Sequence, residues 1–192
     1  MRAYKVVTPA TTNPITLTEA KTHLKVDTTA DDTFITNLIK SATSSAEEYT
    51  NRFFITTTIQ QYGDKWDDIS NLFKSPVHSV SHIKYVDPDG TLQTLSTNVY
   101  FVDEVNKPAR IGLKPNQSFP TIIDRLNAVY VEYRVGTAAG PDEVDEGIRQ
   151  ALLLTIGNWY QNRQAVVTGT IATELPMNAK FLLDQYKIQV CR

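Results

Sequence analysis

Three histidines are the side chains of this 192-residue chain best suited to metal binding or proton transfer. His78 and His82 are four residues apart, a spacing that can hold zinc when both residues lie on one helix. Pro76 and the strand-forming residues around them argue against a helix, and no third ligand stands nearby in the sequence. His23 falls in a short amphipathic segment, where a structural role is expected. The histidines therefore predict neither a metal site nor a catalytic base.

Paired carboxylates are the second feature that could support catalysis. The Asp-Asp pairs at residues 31–32 and 67–68 could act as acid and base in a hydrolase, but no base or oxyanion donor accompanies them. Residues 87–90 faintly resemble a calcium loop, yet their glycine is fourth and the twelfth position is Asn98, where an EF-hand needs glutamate. Gly-rich phosphate loops and nucleophile elbows are absent from the sequence. We therefore predict a protein that is not an enzyme, with no catalytic residues, no metal and no cofactor.

Trp159, Tyr160 and Arg163 form the strongest candidate contact site, at the end of a predicted helix. Aromatic residues and arginine are enriched where proteins bind one another, so these three are candidate subunit-interface residues. In the alternative interpretation Trp159 completes the core face of its helix and Arg163 covers a carbonyl at the helix end. Both interpretations can hold together.

The first zone, residues 1–53, is predicted to be helical. Residues 17–24 form a short amphipathic helix for which Thr18 is a plausible N-cap. Thr29 with Asp32 resembles a capping box for a second helix over about residues 31–52, where apolar side chains recur at three- and four-residue steps.

The second zone, residues 54–140, has the alternation and turn residues of β-structure. A hairpin is predicted around residues 87–90, and residues 114–124 are predicted to be a loop. Five or six strands are expected in one small sheet or barrel, with candidates at residues 55–62, 80–86, 91–95, 99–102, 110–113 and 128–135.

The third zone, residues 141–192, returns to helix. A cluster of acidic residues surrounds the predicted first turn, where the helix dipole favours negative charge, and the helix runs to about Arg163. Pro176 begins a short last helix, and residues 187–192 are predicted to be extended. The predicted fold is α+β: one subunit over residues 1–192, with a small α-helical bundle from both ends and an inserted β-rich subdomain.

Charge and composition exclude several classes of function. The chain has 19 Lys and Arg against 21 Asp and Glu, spread so evenly that no basic block arises. Strong nucleic-acid binding is therefore disfavoured, because it needs Lys and Arg concentrated on one face. No apolar run approaches the roughly 18 residues that span a bilayer. The single cysteine, Cys191, excludes an internal disulfide, and we predict synthesis in a reducing cytoplasm and no membrane partner.

The order of these motifs resembles the head–tail connector (adaptor) family of long-tailed bacteriophages. Each motif alone is a cap, a core stripe or a turn, but their order and spacing match along nearly the whole chain. The matching segments are residues 16–27, 31–39, 48–52, 76–80, 83–90, 128–133, 148–154, 159–163, 175–176 and 182–183.

The resemblance implies a structural protein of the virion neck, made in the host bacterial cytoplasm. Such connectors form a ring beneath the twelve-fold portal protein, extend the channel through which DNA passes without specific binding, and support the next neck or tail-completion protein. In related connectors the C-terminal segment reaches the portal. Residues 177–192 are therefore the candidate portal-binding element, with Phe181, Tyr186, Ile188 and Val190 as its candidate contacts.

Two other functions remain as alternatives. A DNA-packaging recognition subunit would also form a ring, but it should carry a helix-turn-helix and a basic face, and the sequence indicates neither. A small hydrolase or ligand-binding module would account for the β-rich zone.

Overall fold

The computed structural model describes residues 3–136, 138–162 and 175–188. The chain divides into two compact units. The strand unit consists of Met1–Ala10, Thr56–Thr137 and Ile188–Arg192, and the helical unit consists of Thr11–Ile55 and Ala138–Lys187. The predicted α+β class is confirmed, since helices build one unit and antiparallel sheets build the other.

Two helices form the first part of the helical unit: α1, Leu17–Leu24, and α2, Asp32–Thr50. Helix α1 begins after Thr16, whose Oγ1 accepts a hydrogen bond from the Glu19 backbone N–H at 3.1 Å. The predicted N-cap, Thr18, is wrong by two residues, because Thr16 is the residue whose extended backbone precedes the helix.

The start of α2 lacks the capping box predicted from Thr29. Asp31 occupies the N-cap position, but its side chain makes no capping hydrogen bond. Its carboxylate instead accepts a hydrogen bond from the Tyr160 hydroxyl at 2.6 Å, and Asp32 forms an ion pair with Lys21 at 2.7 Å. The two carboxylates therefore tie the start of α2 to other parts of the helical unit.

The second part of this unit contains α3, Glu146–Gln161, and α4, Met177–Asp184. A short 3-10 turn, Pro141–Glu143, precedes α3, and the Asp145 carboxylate caps α3 by accepting from the Gly147 backbone N–H at 3.3 Å. The acidic residues predicted for a single first turn are thus divided between the 3-10 turn and the start of α3.

The core of the helical unit consists of the apolar faces of the four helices. The chain on either side of them adds further side chains, including Ile15, Phe54 and Ile55. No described helix is both long enough and apolar enough to cross a membrane. The buried apolar residues of the helices are Ala20 of α1, Ile35, Leu38, Ile39, Ala42 and Ala46 of α2, Ile148, Ala151, Leu152, Leu153, Ile156 and Trp159 of α3, and Ala179 and Leu183 of α4.

The described residues of the strand unit form eight strands in two antiparallel sheets, so the expectation of five or six strands in one sheet is wrong. The five-stranded sheet has the order β1-β2-β8-β4-β5, and the three-stranded sheet has the order β3-β7-β6. The short strand β3 and the edge strand β1 give little alternation in the sequence, which is why they were not predicted. The strands are β1 Ala3–Thr8, β2 Thr57–Gly63, β3 Asn71–Leu72, β4 Val77–Val86, β5 Leu92–Thr94, β6 Tyr100–Asp103, β7 Ala109–Leu113 and β8 Val129–Val135.

Strand β8 lies at the centre of the larger sheet. Its burial alternates along all seven residues, with Val129, Val131, Tyr133 and Val135 fully buried, as the alternation in the sequence predicts. Strand β2 alternates in the same way. One face of this sheet therefore forms the core of the strand unit.

A buried glutamine fixes how β2 joins the chain that follows it. The Gln61 amide nitrogen donates to the Asp68 carbonyl at 3.1 Å and to the Asn71 carbonyl at 2.9 Å. Its amide oxygen accepts from the Phe73 backbone N–H at 3.3 Å and from the Tyr133 hydroxyl at 3.0 Å. Gln61 has no exposed surface, so these four bonds replace water completely.

We expect Gln61→Met to lower the free energy of unfolding by about 3 kcal/mol, because buried polar groups left unpaired cost about 1–3 kcal/mol each. The matched control is Gln60→Met, which removes two bonds, one to Glu132 and one from the Tyr62 hydroxyl, at a half-buried position where water can replace them, and should cost below about 1 kcal/mol. Urea unfolding followed by circular dichroism measures both. Equal losses of unfolding free energy for the two variants would show that the Gln61 bonds contribute no more to stability than those of a half-buried glutamine.

Candidate docking site on the C-terminal helix

The histidines do not meet at a common site. His78 is exposed on β4, and register irregularities on both sides of the segment 79–80 separate it from His82, so simple alternation does not relate the two. The His82 Nδ1 lies 3.8 Å from the Glu132 carboxylate, and His23 packs beside Gly157 of α3. Across the described ranges, no group of three or more His, Cys, Asp or Glu side chains could hold a metal ion.

Asp68 and Asp87, whose segments the sequence suggested for catalysis or calcium binding, make local structural bonds. Asp68 Oδ2 accepts from the backbone N–H groups of Asp64 and Lys65, both at 3.0 Å, before the 3-10 helix Trp66–Ile69. The Asp87 carboxylate accepts from the Thr91 backbone N–H and the Gln93 side chain in the predicted hairpin turn. The Gln93 bond, followed by the backbone bonds, lowers the pKa of Asp87.

The aromatic pair at the end of α3 faces into the helical unit. Trp159 is only 4% exposed and belongs to the core, which leaves little of its surface for a neighbouring subunit. Tyr160 is half-buried, and its ring centroid lies 6.1 Å from that of Phe34. Arg163 lies outside the described residues. The assignment of these three residues to a subunit interface stays a prediction.

The C-terminal helix α4 presents the largest exposed apolar side chains of the helical unit. Met177 is 87% exposed and Phe181 is 79% exposed, and their four-residue spacing places them on the same side of the helix. The opposite side holds Ala179 and Leu183, which are fully buried. The exposed side borders an open apolar cleft, lined by Leu154, Met177, Asn178, Phe181 and Leu182.

Tyrosine–carboxylate hydrogen bonds hold the end of α4 in place. The Tyr186 hydroxyl donates to Asp145, the N-cap residue of α3, and the Tyr49 hydroxyl donates to Asp184 at 2.5 Å. The Arg52 Nε donates to the Tyr186 carbonyl at 2.5 Å. These bonds join the end of α4 to the end of α2 and to the start of α3 within the helical unit.

The Tyr186 ring fits against α3 because residue 147 is a glycine. A Cβ atom at Gly147 would lie 2.5 Å from the Tyr186 hydroxyl oxygen, closer than real Cβ atoms approach other atoms. Burial, followed by the hydrogen bond to Asp145, raises the pKa of Tyr186 to about 12. The hydroxyl is therefore neutral, and able to donate, at every physiological pH.

The four candidate portal contacts have different surroundings. Phe181 is exposed, whereas Tyr186 is half-buried and bonded within the helical unit. Ile188 is 5% exposed, and Val190 lies outside the described residues. Sequence reasoning missed the anchors Tyr49, Arg52 and Asp145, because their partners are more than 40 residues away and no local pattern marks them.

The anchoring bond of Tyr186 predicts a specific pH dependence of stability. A folded-state pKa raised from 10.0 to about 12 stabilises the fold below pH 10, and that contribution is lost as pH rises from 10 towards 12. Tyr186→Phe should therefore lower the free energy of unfolding by about 1 kcal/mol at pH 8 and by less at pH 11. Urea unfolding followed by Trp159 fluorescence, in a Trp66→Phe background, measures the difference. A difference that stays constant with pH would contradict the assignment.

Comparisons with known proteins agree with this architecture. The family model described as phage gp6-like head-tail connector protein matches residues 14–111. A chain from the neck of an empty GTA particle, computed with C6 symmetry, has a TM-score of 0.78 at 17% identity and covers 99% of this chain and 97% of its own. A chain from the neck of the native GTA particle, computed with C12 symmetry, has a TM-score of 0.73 at 18% identity and covers 100% and 97%. No curated protein matches the chain significantly in sequence.

Proposed function

Because the chain belongs to the phage gp6-like head-tail connector family, we propose that it is a structural subunit of the virion neck that forms a ring beneath the portal protein. The ring extends the channel for DNA and supports the next neck or tail-completion protein. The observation that carries this proposal is the family match over residues 14–111, which spans half of the chain and includes parts of both units.

The similarity in fold to neck proteins supports a ring on the portal. The fold matches chains of GTA neck structures along nearly their whole length, and those necks were computed with C6 and C12 symmetry. A twelve-fold ring of this chain would match a twelve-fold portal subunit for subunit. A cyclic ring requires two different complementary surfaces on each subunit, because every contact is head-to-tail.

The charge of the chain agrees with a channel through which DNA passes without being bound. The net charge is −2, and the basic residues are spread along the chain, so the sequence provides no block of Lys and Arg that would retain passing DNA. A structural role without catalysis agrees with the described carboxylates, which bond to nearby backbone and side chains. We propose that the protein is made in the host cytoplasm and acts at the head–tail junction of the virion.

The exposed side of α4 is the surface proposed to contact the portal. Phe181 and Met177 offer large exposed apolar side chains that a partner could bury. Tyr186 acts as a positioning residue, because its bonds to Asp145 and Arg52 fix the end of the helix. Ile188 and Val190 would continue the contact along the tail once the portal is bound.

The end of α3 is proposed as one of the contacts between neighbouring subunits. The half-buried Tyr160 and the following Arg163 would supply it, while the buried Trp159 supports the helix from inside. Large apolar and arginine side chains at the centre of an interface typically contribute most of its binding energy.

Imaging of the purified protein, alone and mixed with its cognate portal protein, tests the proposed function directly. We expect a ring of this chain stacked on the portal and sharing its axis. Images in which the chain never associates with the portal would overturn the proposal.

We expect Phe181→Ala to weaken portal binding about thirtyfold, since an exposed aromatic anchor buried on binding is worth about 2 kcal/mol. The matched control is Leu126→Ala, a similarly exposed apolar residue of the strand unit, 77% exposed in the isolated chain, which should leave portal affinity unchanged. Thermal stability of both variants should equal that of the wild type, because both side chains are mostly in solvent. Unchanged portal affinity of Phe181→Ala would remove α4 from the interface.

A further inference from the structure

Strand β1 is an exposed edge of the five-stranded sheet. It pairs with β2 on one side, and it stands at the end of the strand order among the described residues. All six of its residues, Ala3–Thr8, are exposed, whereas its partner β2 alternates between buried and half-buried residues. An exposed edge strand offers backbone N–H and C=O groups with which another strand can pair.

The apolar layer of the sheet continues into β1 without being covered there. Val6 lies opposite Ile59, which is fully buried, yet Val6 itself is 40% exposed. The neighbouring Val7 is 44% exposed. Natural edge strands usually avoid this combination by using charges, prolines or very short strands, and β1 carries a single charge, Lys5, and no proline.

The opposite edge of the same sheet has a complementary character. All three residues of strand β5, Leu92–Thr94, are also exposed, Leu92 to 52%. The turn before it carries Asp87 and Asp89 and no basic residue. One edge is thus aliphatic and basic, and the other is aliphatic and acidic.

The two edge strands of the five-stranded sheet run in the same direction. Each strand of the sheet runs antiparallel to its neighbours, and five is an odd number, so β1 and β5 run in parallel. A twelve-fold ring rotates each subunit by only about 30° relative to the next, which nearly preserves strand direction. A second copy can therefore present its β1 to the β5 of its neighbour as a parallel pair.

We propose that β1 of one subunit adds to β5 of the next subunit, so that neighbouring sheets join edge to edge around the ring. The inference rests on the proposed ring and names the two edges that build it. The occupant of the β1 edge is a second copy of this chain, because charge complementarity and strand direction both favour β5. A pair of β1 strands would instead close as a dimer, bring two Lys5 side chains together and leave the β5 edge open.

Disulfide trapping on the portal-bound assembly tests the inference. In a Cys191→Ser background, Val6→Cys is combined in turn with Leu92→Cys, Gln93→Cys and Thr94→Cys. Paired strands lie about 4.8 Å apart, within the Cα separation that a disulfide bridges, so at least one combination should give a ladder of linked subunits under oxidation. The control combines Val6→Cys with Phe101→Cys on the edge strand β6, where no ladder is expected.

Imaging of the same samples separates failure of this inference from failure of the proposed function. Rings on the portal without a ladder from any β5 position would overturn the edge pairing while leaving the ring intact. A ladder from the Phe101 combination alone would assign the contact to β6 instead. Complete absence of rings on the portal would overturn both proposals.

Charge reversal gives a second, independent readout. Lys5→Glu and Asp89→Lys should each lower ring yield on the portal, by roughly three- to fivefold, because each places like charges across the joined edges. The double variant should restore wild-type yield. Losses that simply add in the double variant would contradict contact between these edges.

Discussion

The hydrogen bond from the Tyr186 hydroxyl to Asp145 ties the chain just after α4 to the start of α3, and the placement of the exposed apolar side of α4 depends on it. Its partner is the same carboxylate that caps α3, so one side chain begins one helix and holds the end of another. Gly147 completes the arrangement, because any larger residue would occupy the space of the Tyr186 ring. Phe181 lies on the helix that these bonds hold. The direction in which its side chain projects therefore depends on contacts made several residues away. A docking surface built in this way can stay apolar and exposed while its backbone is held firmly.

A comparable constraint operates in the strand unit. Gln61 bonds to two carbonyls, one backbone N–H and the Tyr133 hydroxyl, which fixes β2 against both the following loop and the central strand β8. A slip of one residue would turn this amide to the other face and move Ile59 out of the core. The register of β1 depends on β2 in turn, because β1 pairs only with β2 within the described sheet. The exposed edge strand β1 therefore pairs with a strand whose register is fixed, and a fixed register is what the addition of a further strand requires.

Local patterns predicted the helices and the central strands, because burial there follows the helical and strand periods. The alternation of Val129, Val131 and Tyr133 indicated β8, and the three- and four-residue steps of Ile35, Leu38 and Ala42 indicated α2. The sequence did not indicate the edge strand β1, whose residues are exposed throughout and so show no burial period. Nor could it indicate the anchor of α4, because Tyr49 and Asp184 are 135 residues apart and meet only in the folded chain. The family resemblance rested on the order and spacing of motifs along nearly the whole chain, so it did not depend on any single motif.

The two units provide different kinds of surface, and this division suits the proposed neck subunit, which would contact several partners at once. The helical unit offers side chains: Met177 and Phe181 are exposed on helix α4, and the proposed recognition there would depend on apolar shape. The strand unit offers backbone: the β1 and β5 edges present hydrogen-bonding groups whose spacing is the same in every sheet. In the proposed ring, recognition there would depend on direction, register and the charges of Lys5 and Asp89. Backbone pairing between identical subunits needs no variation from one contact to the next, which fits a cyclic ring. Side-chain recognition can distinguish a different protein, which fits the portal. Sequence changes at one kind of surface can therefore alter the choice of partner without altering closure of the ring.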